Sequence, residues 1–383
     1  MLRTLENALL ALLRRLLGRW KGPPPPFRRI LAVVVAGIGD CLLATPAIRA
    51  LRHANPEARI VVLVNRRVVD LFSGWPAVDA IVPLDIDLLL YDNRWGWCRP
   101  AGLRHLWQTW RALRRERFDL AVNFMHITSL RGAVLMGLLL KAVGATYRAG
   151  RDTDGRGAAF HCRVPEHWPG RRHCVVKNLA VIEALGGDAD PGPLSVPISE
   201  EDQRAAEDFL AKHATLGRPL IVLHPWVSMP TDRHWPLEAW TTVVKALAAE
   251  VGAQFIVLGG PADRQPSIQW ARSFKEPPIV AAGHLSLSHT AALIEKCDLF
   301  LGVLSGPLHM AAAVGTPIAA CYPNVLAEAY VPYTDPARYR ILAPTTAGAP
   351  AADIPPEALI GAAKVLLYHW VVQERSLLER LLR

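Results

Sequence analysis

Three short segments carry polar side chains of the kinds that accept protons or bind anions. Asp40 ends the turn Gly37-Ile-Gly-Asp40, Arg233 lies in the Pro-rich loop His224–Pro236, and Ser305–His309 reads Ser-Gly-Pro-Leu-His. Each segment follows a short apolar run. A carboxylate can take a proton from a hydroxyl, and a fixed guanidinium or the start of a helix can bind phosphate. These residues therefore indicate a general base and sites for an anion.

Two roles are open for Asp40. The first is a helix cap, because Asp40 lies where the apolar run Ile30–Val35 passes into a helical pattern. The second is a general base at the mouth of a ligand site. A dinucleotide-binding turn does not fit the sequence, because its third glycine would fall where the bulky Leu42 stands.

The segment around Ser305 predicts an anion site. Pro307 suits the first turn of a helix, and Gly306 lets a ligand approach the backbone closely. Unpaired N–H groups at a helix start bind anions without a metal ion. His309 either lies on the same side of the helix as Ser305 or packs inside the protein. Arg233 has a similar alternative, a solvated position on the surface.

The elements that must position these residues follow from an alternation of short apolar runs with helical stretches. Such alternation predicts parallel sheets with helices on both faces. The runs are Ile30–Val35, Ile60–Val64, Ala80–Pro83 and Asp119–Asn123, then Leu220–Leu223, Gln254–Leu258, Ile279–Ala281, Leu299–Gly302 and Ile318–Cys321. We predict two Rossmann-like α/β domains whose sheets face each other across a cleft, with ligands beyond the carboxyl ends of the strands.

The N-terminus has a different pattern. Met1–Lys21 places leucines on one face of a helix and arginines elsewhere, which predicts a basic amphipathic helix. Its uninterrupted apolar run is too short for a signal peptide. The helix lies either on an anionic leaflet or against protein. The predicted segments are this helix at 1–22, a Pro-rich spacer at 23–27, a first domain at 28–190, a linker at 191–219, a second domain at 220–355 and a C-terminal helix at 356–383.

Composition narrows the class of protein. The 383 residues are 51% hydrophobic and 20% charged, which fits folded domains, and the formal charge of +9 identifies no partner by itself. The six cysteines are scattered without metal-ligand spacing, so we expect reduced thiols in a cytoplasmic protein and no metal site. The segment Asp85-Ile-Asp87 has the spelling of an Asp-x-Asp metal site, and we interpret this match as incidental. No stretch is long and apolar enough for a membrane span.

Five ordered motifs resemble the ADP-heptose:lipopolysaccharide heptosyltransferases, glycosyltransferase family 9. The motifs are Ile38–Arg52, the turn Asn55–Ile60, Arg-His-Trp-Pro at Arg233–Pro236, Leu-Gly-Gly-Pro-Ala-Asp at Leu258–Asp263, and Ser305–Pro317. The resemblance covers Arg28–Pro323. It implies the GT-B fold, with the acceptor on the first domain, the nucleotide sugar mainly on the second, and the helix at 356–383 returning to the first.

The resemblance also implies roles for individual residues. Asp40 is the expected catalytic base of an inverting transfer that needs no metal ion, and the expected sugar is heptose, carried by ADP-heptose as a co-substrate. The expected donor contacts are Ser228, Arg233, Asp263 near the ribose, and Ser305, Gly306 and His309 at the diphosphate. The expected acceptor is an anionic glycolipid of the lipopolysaccharide core. Its expected contacts are Arg66, Arg67, Arg94 and Arg148, unless these arginines form a merely solvated basic face.

Three positions depart from the family pattern. Leu304 stands where Asp is usual, Trp226 replaces a glycine, and Asp232 lies beside Arg233. These departures keep open a second hypothesis, a catalytically lapsed relative that acts as a membrane-surface binding or scaffold protein. We expect the chain to act at the cytoplasmic face of the inner membrane, attached through residues 1–21. Nucleic acid is not an expected partner, because no nucleic-acid motif accompanies the arginines.

Overall fold

The computed structural model describes most of the chain. The described residues are 2–17, 20, 24–85, 100–168, 170–188, 192–215, 217–227, 234–323, 327–346 and 348–369. The chain divides into two compact units, Met1–Gly192 and Pro193–Arg383. The division falls within the predicted linker at 191–219.

The first unit contains a parallel sheet of six strands. The strands are β1 (Arg29–Val34), β2 (Arg59–Asn65), β3 (Ala80–Leu84), β4 (Leu120–Asn123), β5 (Tyr147–Thr153) and β6 (Cys162–Glu166). Their order across the sheet is β3-β2-β1-β4-β5-β6, and every pair is parallel. The helices are α1 (Leu2–Leu17), α2 (Ile38–Ala54), α3 (Pro100–Glu116), α4 (Leu130–Val143) and α5 (Cys174–Ala184).

Helices cover both faces of this sheet because successive strand residues point to opposite sides. On one side, Leu10 of α1, Leu113 of α3 and Leu140 of α4 share a core with Leu31 and Val33 of β1. Helices α2 and α5 contact each other and lie on the other side. Buried strands with apolar residues on both faces are what the β-branched runs of the sequence predict.

The second unit repeats the same sheet order. Its strands are β7 (Leu220–His224), β8 (Gln254–Val257), β9 (Ile279–Val280), β10 (Leu299–Val303), β11 (Ile318–Cys321) and β12 (Tyr339–Leu342), in the order β12-β11-β10-β7-β8-β9. Its helices are α6 (Glu200–His213), α7 (Leu237–Val251), α8 (Arg264–Ala271), α9 (Leu287–Glu295), α10 (Gly306–Val314), α11 (Ala327–Tyr330) and α12 (Pro356–Leu366). Both sheets therefore have the Rossmann order, in which the chain turns back at the centre of the sheet.

The predicted linker at 191–219 contains helix α6, which begins at a capping box between Ser199 and Asp202 and contacts α9. The Gly and Pro residues at the start of this segment suggested a linker. They lie before the capping box. Helix α12 packs on its own unit, with Leu359 and Leu366 in the core around β10 and β11. The remainder of the predicted C-terminal helix, from residue 370, lies outside the described residues.

The described cysteines are Cys41, Cys162, Cys174, Cys297 and Cys321, and none of them forms a disulfide bond within the described residues. Burial raises the pKa of the thiols of Cys41, Cys297 and Cys321, so they remain protonated and unreactive at neutral pH. Within the described ranges, no helix is long and apolar enough to cross a membrane.

Candidate functional site

The candidate site residues lie at the switch point of each sheet. This is the place where the connections from two neighbouring strands lead to opposite sides of the sheet. Ligands of open α/β sheets bind there, beyond the carboxyl ends of the strands. In the first unit the switch point lies between β1 and β4, and Asp40 follows β1. In the second unit it lies between β7 and β10, and His224 and Ser305 come at the ends of these strands.

Asp40 lies in the first turn of α2. The N-cap of this helix is Gly37, in an extended conformation, so Asp40 is the third helical residue and not the N-cap that one interpretation of the sequence expected. A carboxylate in the first turn is favoured by the helix dipole. Next to it, burial and then the charge of Asp40 raise the pKa of the Cys41 thiol, so Cys41 is no nucleophile at neutral pH. Asp40 is the group in this turn suited to accept a proton.

The helix that carries Asp40 is held by side chains that the sequence did not single out. Pro46 lies inside α2 and has no N–H to donate to the preceding turn. The hydroxyl of Thr45 donates to the carbonyl of Leu42 at 2.7 Å. The amide of Asn178, on α5, donates to the carbonyl of Leu43 at 3.0 Å. These hydrogen bonds fix the first turns of α2 and therefore the position of Asp40.

Asn178 is in turn part of a buried ionic cluster. Its Oδ1 accepts a hydrogen bond from Nη1 of Arg151 at 3.1 Å. Arg151 binds Glu166 at 2.7 Å, Lys177 lies 3.8 Å from the same carboxylate, and the three charged side chains are 4–5% exposed. Two cations around one carboxylate leave the cluster with a positive charge. Buried charge of this kind is costly unless it is paired or binds a ligand.

A cavity of about 240 Å³ opens beside this cluster and is positively charged. Its lining includes Arg151, Glu166, Lys177, Arg171 and Arg172. Arg151 and Glu166 lie at or near the carboxyl ends of β5 and β6, the same edge of the sheet as Asp40. Glu166 and Lys177 could not be predicted as site residues, because no local pattern in the sequence connects them with each other or with Arg151.

The predicted acceptor arginines have different positions. Arg66 and Arg67 are exposed directly after β2, at the carboxyl edge of the sheet. Arg148 contradicts its prediction, because it is the second residue of β5, at the opposite edge, and donates to the carbonyl oxygens of Ala159 and Leu17. Its guanidinium holds the end of α1 against the unit. Arg94 lies outside the described residues.

In the second unit, Ser305 and Gly306 form the start of α10. Ser305 is the N-cap, Gly306 is the first helical residue, and Pro307 follows in the first turn. The hydroxyl of Ser305 makes no capping bond. Its Oγ is buried and has no hydrogen-bond partner among the described residues. An uncapped helix start with a buried hydroxyl is suited to bind an anion. His309 is only 2% exposed, which agrees with the alternative of a packed helix residue.

Two aromatic residues, one at the end of β7 and one in the loop after it, lie at the same end of the sheet. His224, the last residue of β7, pairs in register with Gly302 of β10. Burial lowers the pKa of His224 to about 4, so its imidazole is neutral at pH 7. Trp226 donates from Nε1 to Ser267 at 3.0 Å. A Cβ on Gly259 would lie 3.0 Å from Trp226, so the glycine is what lets the indole approach this turn.

Asp263 shapes the turn that faces Trp226. One of its carboxylate oxygens, Oδ2, accepts the N–H of Gly260 at 2.8 Å, and its carbonyl accepts the hydroxyl of Ser267 at 2.7 Å. Trp226, Ser267 and Asp263 are thus one connected group. Leu304 is buried and 5% exposed, so this unit has no carboxylate at the position before Ser305. Ser228, Asp232 and Arg233 lie outside the described residues.

No group of three or more potential metal ligands occurs within the part of the chain that the structure describes.

Comparison with known proteins agrees with this architecture. The family model described as glycosyltransferase family 9 (heptosyltransferase) matches residues 106–348. The Escherichia coli protein named lipopolysaccharide heptosyltransferase 3 is 27% identical over 292 residues, which cover 74% of this chain and 80% of that protein.

Solved structures show the same fold. The family 9 glycosyltransferase from Veillonella parvula superposes with a TM-score of 0.73 at 22% identity, covering 89% of this chain and 97% of its own. The Escherichia coli heptosyltransferase WaaC with ADP gives a TM-score of 0.68 at 18% identity, covering 88% and 99%. The two Rossmann-like units therefore have the α/β fold of the GT-B class. The chain belongs to glycosyltransferase family 9, the heptosyltransferase family.

Proposed function

We propose that this enzyme transfers a sugar, with heptose as the first choice, from a nucleotide diphosphate donor to an acceptor of the lipopolysaccharide-core type. The proposal rests on one observation, namely which groups follow the strands at the two switch points. A carboxylate follows β1 in one unit, and a helix start with a buried hydroxyl follows β10 in the other. Relatives named lipopolysaccharide heptosyltransferases, and a relative solved with ADP, support the substrate classes.

The proposed reaction is one displacement that inverts the sugar. The acceptor hydroxyl oxygen forms a bond to the anomeric carbon while the bond from that carbon to the diphosphate oxygen breaks. Asp40 receives the proton of the hydroxyl, and the nucleoside diphosphate leaves with the electron pair. Because the leaving group gains negative charge, the start of α10 and Arg233 bind it more strongly in the transition state, which lowers the barrier. These groups let the transfer proceed without a metal ion.

The acceptor is proposed to bind the first unit through its anionic groups. The cavity beside Arg151 and Lys177 is also lined by Arg171 and Arg172, which are exposed. Arg66 and Arg67 lie on the same edge of the sheet. Guanidinium groups bind phosphate and carboxylate in a two-pronged manner. We place the enzyme at the cytoplasmic face of the inner membrane, in contact with the membrane through residues 1–21.

The function is tested with a panel of nucleotide sugars, ADP-heptose among them, and extracted core glycolipid, with mass spectrometry of the product. The expected result is a gain of one sugar residue whose anomeric configuration is opposite to that of the donor, in the presence of a metal chelator. Leu304 favours one competing hypothesis, a lapsed relative that serves as a scaffold. Absence of both transfer and donor binding across the panel would overturn the proposed transfer and support that hypothesis.

We predict that the hydroxyl of Ser305 contributes to donor binding and not to the stability of the fold. In Ser305→Ala we expect the Kd for ADP to rise at least about tenfold, because a hydrogen bond to a charged group is lost. The stability should not fall, since Oγ has no hydrogen bond among the described residues. Isothermal titration calorimetry with ADP and urea unfolding measure the two quantities.

Ser286→Ala is the matched control, because Ser286 caps α9 and accepts the N–H of His289 at 3.1 Å. This control should lose about 1 kcal/mol of stability and keep its affinity for ADP. If Ser305→Ala instead weakened folding and left ADP binding unchanged, the hydroxyl would have a structural role and no part in the anion site.

A further inference from the structure

Three adjacent helices of the first unit expose large apolar side chains on their outer side. Leu16 of α1 is 70% exposed, Trp107 of α3 is 51% exposed and Leu138 of α4 is 54% exposed. We call the outer sides of α1, α3 and α4 the three-helix face. Its exposed large apolar residues are Leu9, Leu12, Leu16, Leu103, Trp107, Trp110, Val134, Leu135 and Leu138. Among the described residues, the second unit has two such residues, Val365 and Tyr368, so the apolar exposure is concentrated and not scattered.

The three helices form one surface with α4 in the middle. A Cβ on Gly137 of α4 would lie 3.2 Å from Leu17 and 3.5 Å from Leu13, so α1 packs closely on this glycine. On the other side, Nε1 of Trp110 donates to the carbonyl of Ala142 at 3.0 Å and thereby joins α3 to α4. Since the inner sides of all three helices enter the same core, their outer sides form a continuous layer.

The charged residues of this face are almost all positive. Its exposed cations are Arg14, Arg15, Arg104, Arg111, Arg114, Arg115, Arg131 and Lys141. The acidic residues of these three helices are Glu6 and Glu116. Each is bound at 2.9 Å to an arginine of the same unit, Glu6 to Arg156 and Glu116 to Arg59. The face therefore combines an apolar surface with an uncompensated positive charge.

A cavity at one end of the face has the composition of an anion site. It measures about 640 Å³, lies between the C-terminal ends of α3 and α4, and is lined by Trp110 and by Arg111, Arg114, Arg115 and Arg117. Phe118 and Thr146, which precede β4 and β5, also line it. The cavity is thus at the amino edge of the sheet, whereas Asp40 is at the carboxyl edge.

We propose that the three-helix face docks on an anionic lipid bilayer, with its leucines and tryptophans in the interface and phosphate headgroups against its arginines. Apolar side chains between long cations are the pattern of an interfacial surface. A second copy of the chain fits this face less well, because a twofold pair would bring like charges together. The proposal widens the contact assigned above to residues 1–21 and does not depend on the transfer reaction.

Vesicle flotation of the full chain tests the proposal, with vesicles of phosphatidylethanolamine and phosphatidylglycerol compared with vesicles of phosphatidylcholine. The wild type should float with the anionic vesicles. Trp107→Gln/Leu135→Asn/Leu138→Asn should lower this binding at least about tenfold, because apolar area no longer enters the interface. Val365→Ser/Tyr368→Ser, which changes exposed apolar residues of the other unit, is the control and should bind as the wild type does.

The charge is tested separately. Arg111→Gln/Arg115→Gln should weaken binding about fivefold per arginine at low salt, whereas Arg272→Gln/Lys275→Gln, an exposed pair in the second unit, should have no effect. Circular dichroism and transfer to a deacylated, soluble acceptor confirm that each variant is folded. Retained transfer with lost flotation supports the proposal. Absence of transfer in the wild type and in every variant, together with the expected pattern of flotation, would count against the proposed function alone.

Two results would overturn the docking proposal. One is failure of the wild type to float with anionic vesicles. The other is a concentration-dependent dimer, seen by light scattering, that the three apolar substitutions abolish without changing flotation. Deletion of residues 1–22 is a weaker experiment than these substitutions, because Leu10 of α1 belongs to the core and is 8% exposed.

Discussion

Asp40→Asn is expected to lower kcat for sugar transfer about 10²–10⁴-fold, the usual contribution of a positioned general base. Asn keeps the size and polarity of the side chain but cannot take the proton of the acceptor hydroxyl. The affinity for ADP should stay the same, because Asp40 belongs to the first unit and the proposed diphosphate site to the second. Steady-state kinetics with the product assay and calorimetry with ADP provide the two measurements.

The dependence of kcat on pH distinguishes two roles for Asp40, that of a general base and that of a residue that only stabilises helix α2. In the wild type, kcat should rise with pH as the carboxyl of Asp40 loses its proton, and the variant should lack this rise. Asp70→Asn, an exposed carboxylate of the same unit, is the control and should keep both rate and profile. A variant with reduced kcat that still shows the wild-type rise would exclude Asp40 as the base.

Glu166→Gln is expected to destabilise the first unit by about 3–5 kcal/mol, the cost of removing one partner from a buried ion pair. Its carboxylate contacts Arg151 and Lys177, and the three side chains are 4–5% exposed. The variant removes the negative charge that both cations contact. Because a chain of two units need not unfold in one step, hydrogen exchange of peptides from β5 and β6 is the suitable measurement.

Glu200→Gln is the matched control for this prediction. Glu200 pairs with Arg204 on α6, but the two side chains are 89% and 72% exposed, so the change should cost no more than about 0.5 kcal/mol. Phosphate or a carboxylated sugar added to Glu166→Gln should recover part of the protection if it binds Arg151 and Lys177. Unchanged exchange in β5 and β6 of Glu166→Gln would mean that the cluster is paired in another way.

Local patterns explain which parts of the fold the sequence predicts. Runs such as Ile30–Val35 and Leu299–Gly302 contain enough β-branched and apolar residues to mark buried strands, and they correspond to β1 and β10. The start of α10 was predicted because Ser is favoured at the N-cap and Pro in the first turn of a helix. Strand β5 was missed because its sequence, Tyr147–Thr153, contains two arginines and an aspartate, and tertiary contacts make it a strand.

The parts of the site that could not be predicted depend on contacts between distant residues. Arg151 and Asn178 are 27 residues apart, and Asn178 and Leu43 are 135 apart. No spacing in the sequence marks such a set. Arg148 was assigned to the acceptor from its charge alone, whereas its position in β5 directs it to the end of α1. Trp226 departs from the family pattern in sequence, and the structure shows its indole hydrogen-bonded to Ser267 beside Gly259.

The attachment of α1 has a consequence for the synthesis of the chain. Leu17 meets Arg148, which is 131 residues later, and Glu6 meets Arg156, which is 150 residues later. At ribosomal rates of roughly 5–20 residues per second, the helix is made on the order of 10 s before these partners exist. During that interval both of its sides are uncovered, so a nascent chain can reach a bilayer or a chaperone before its first unit has closed.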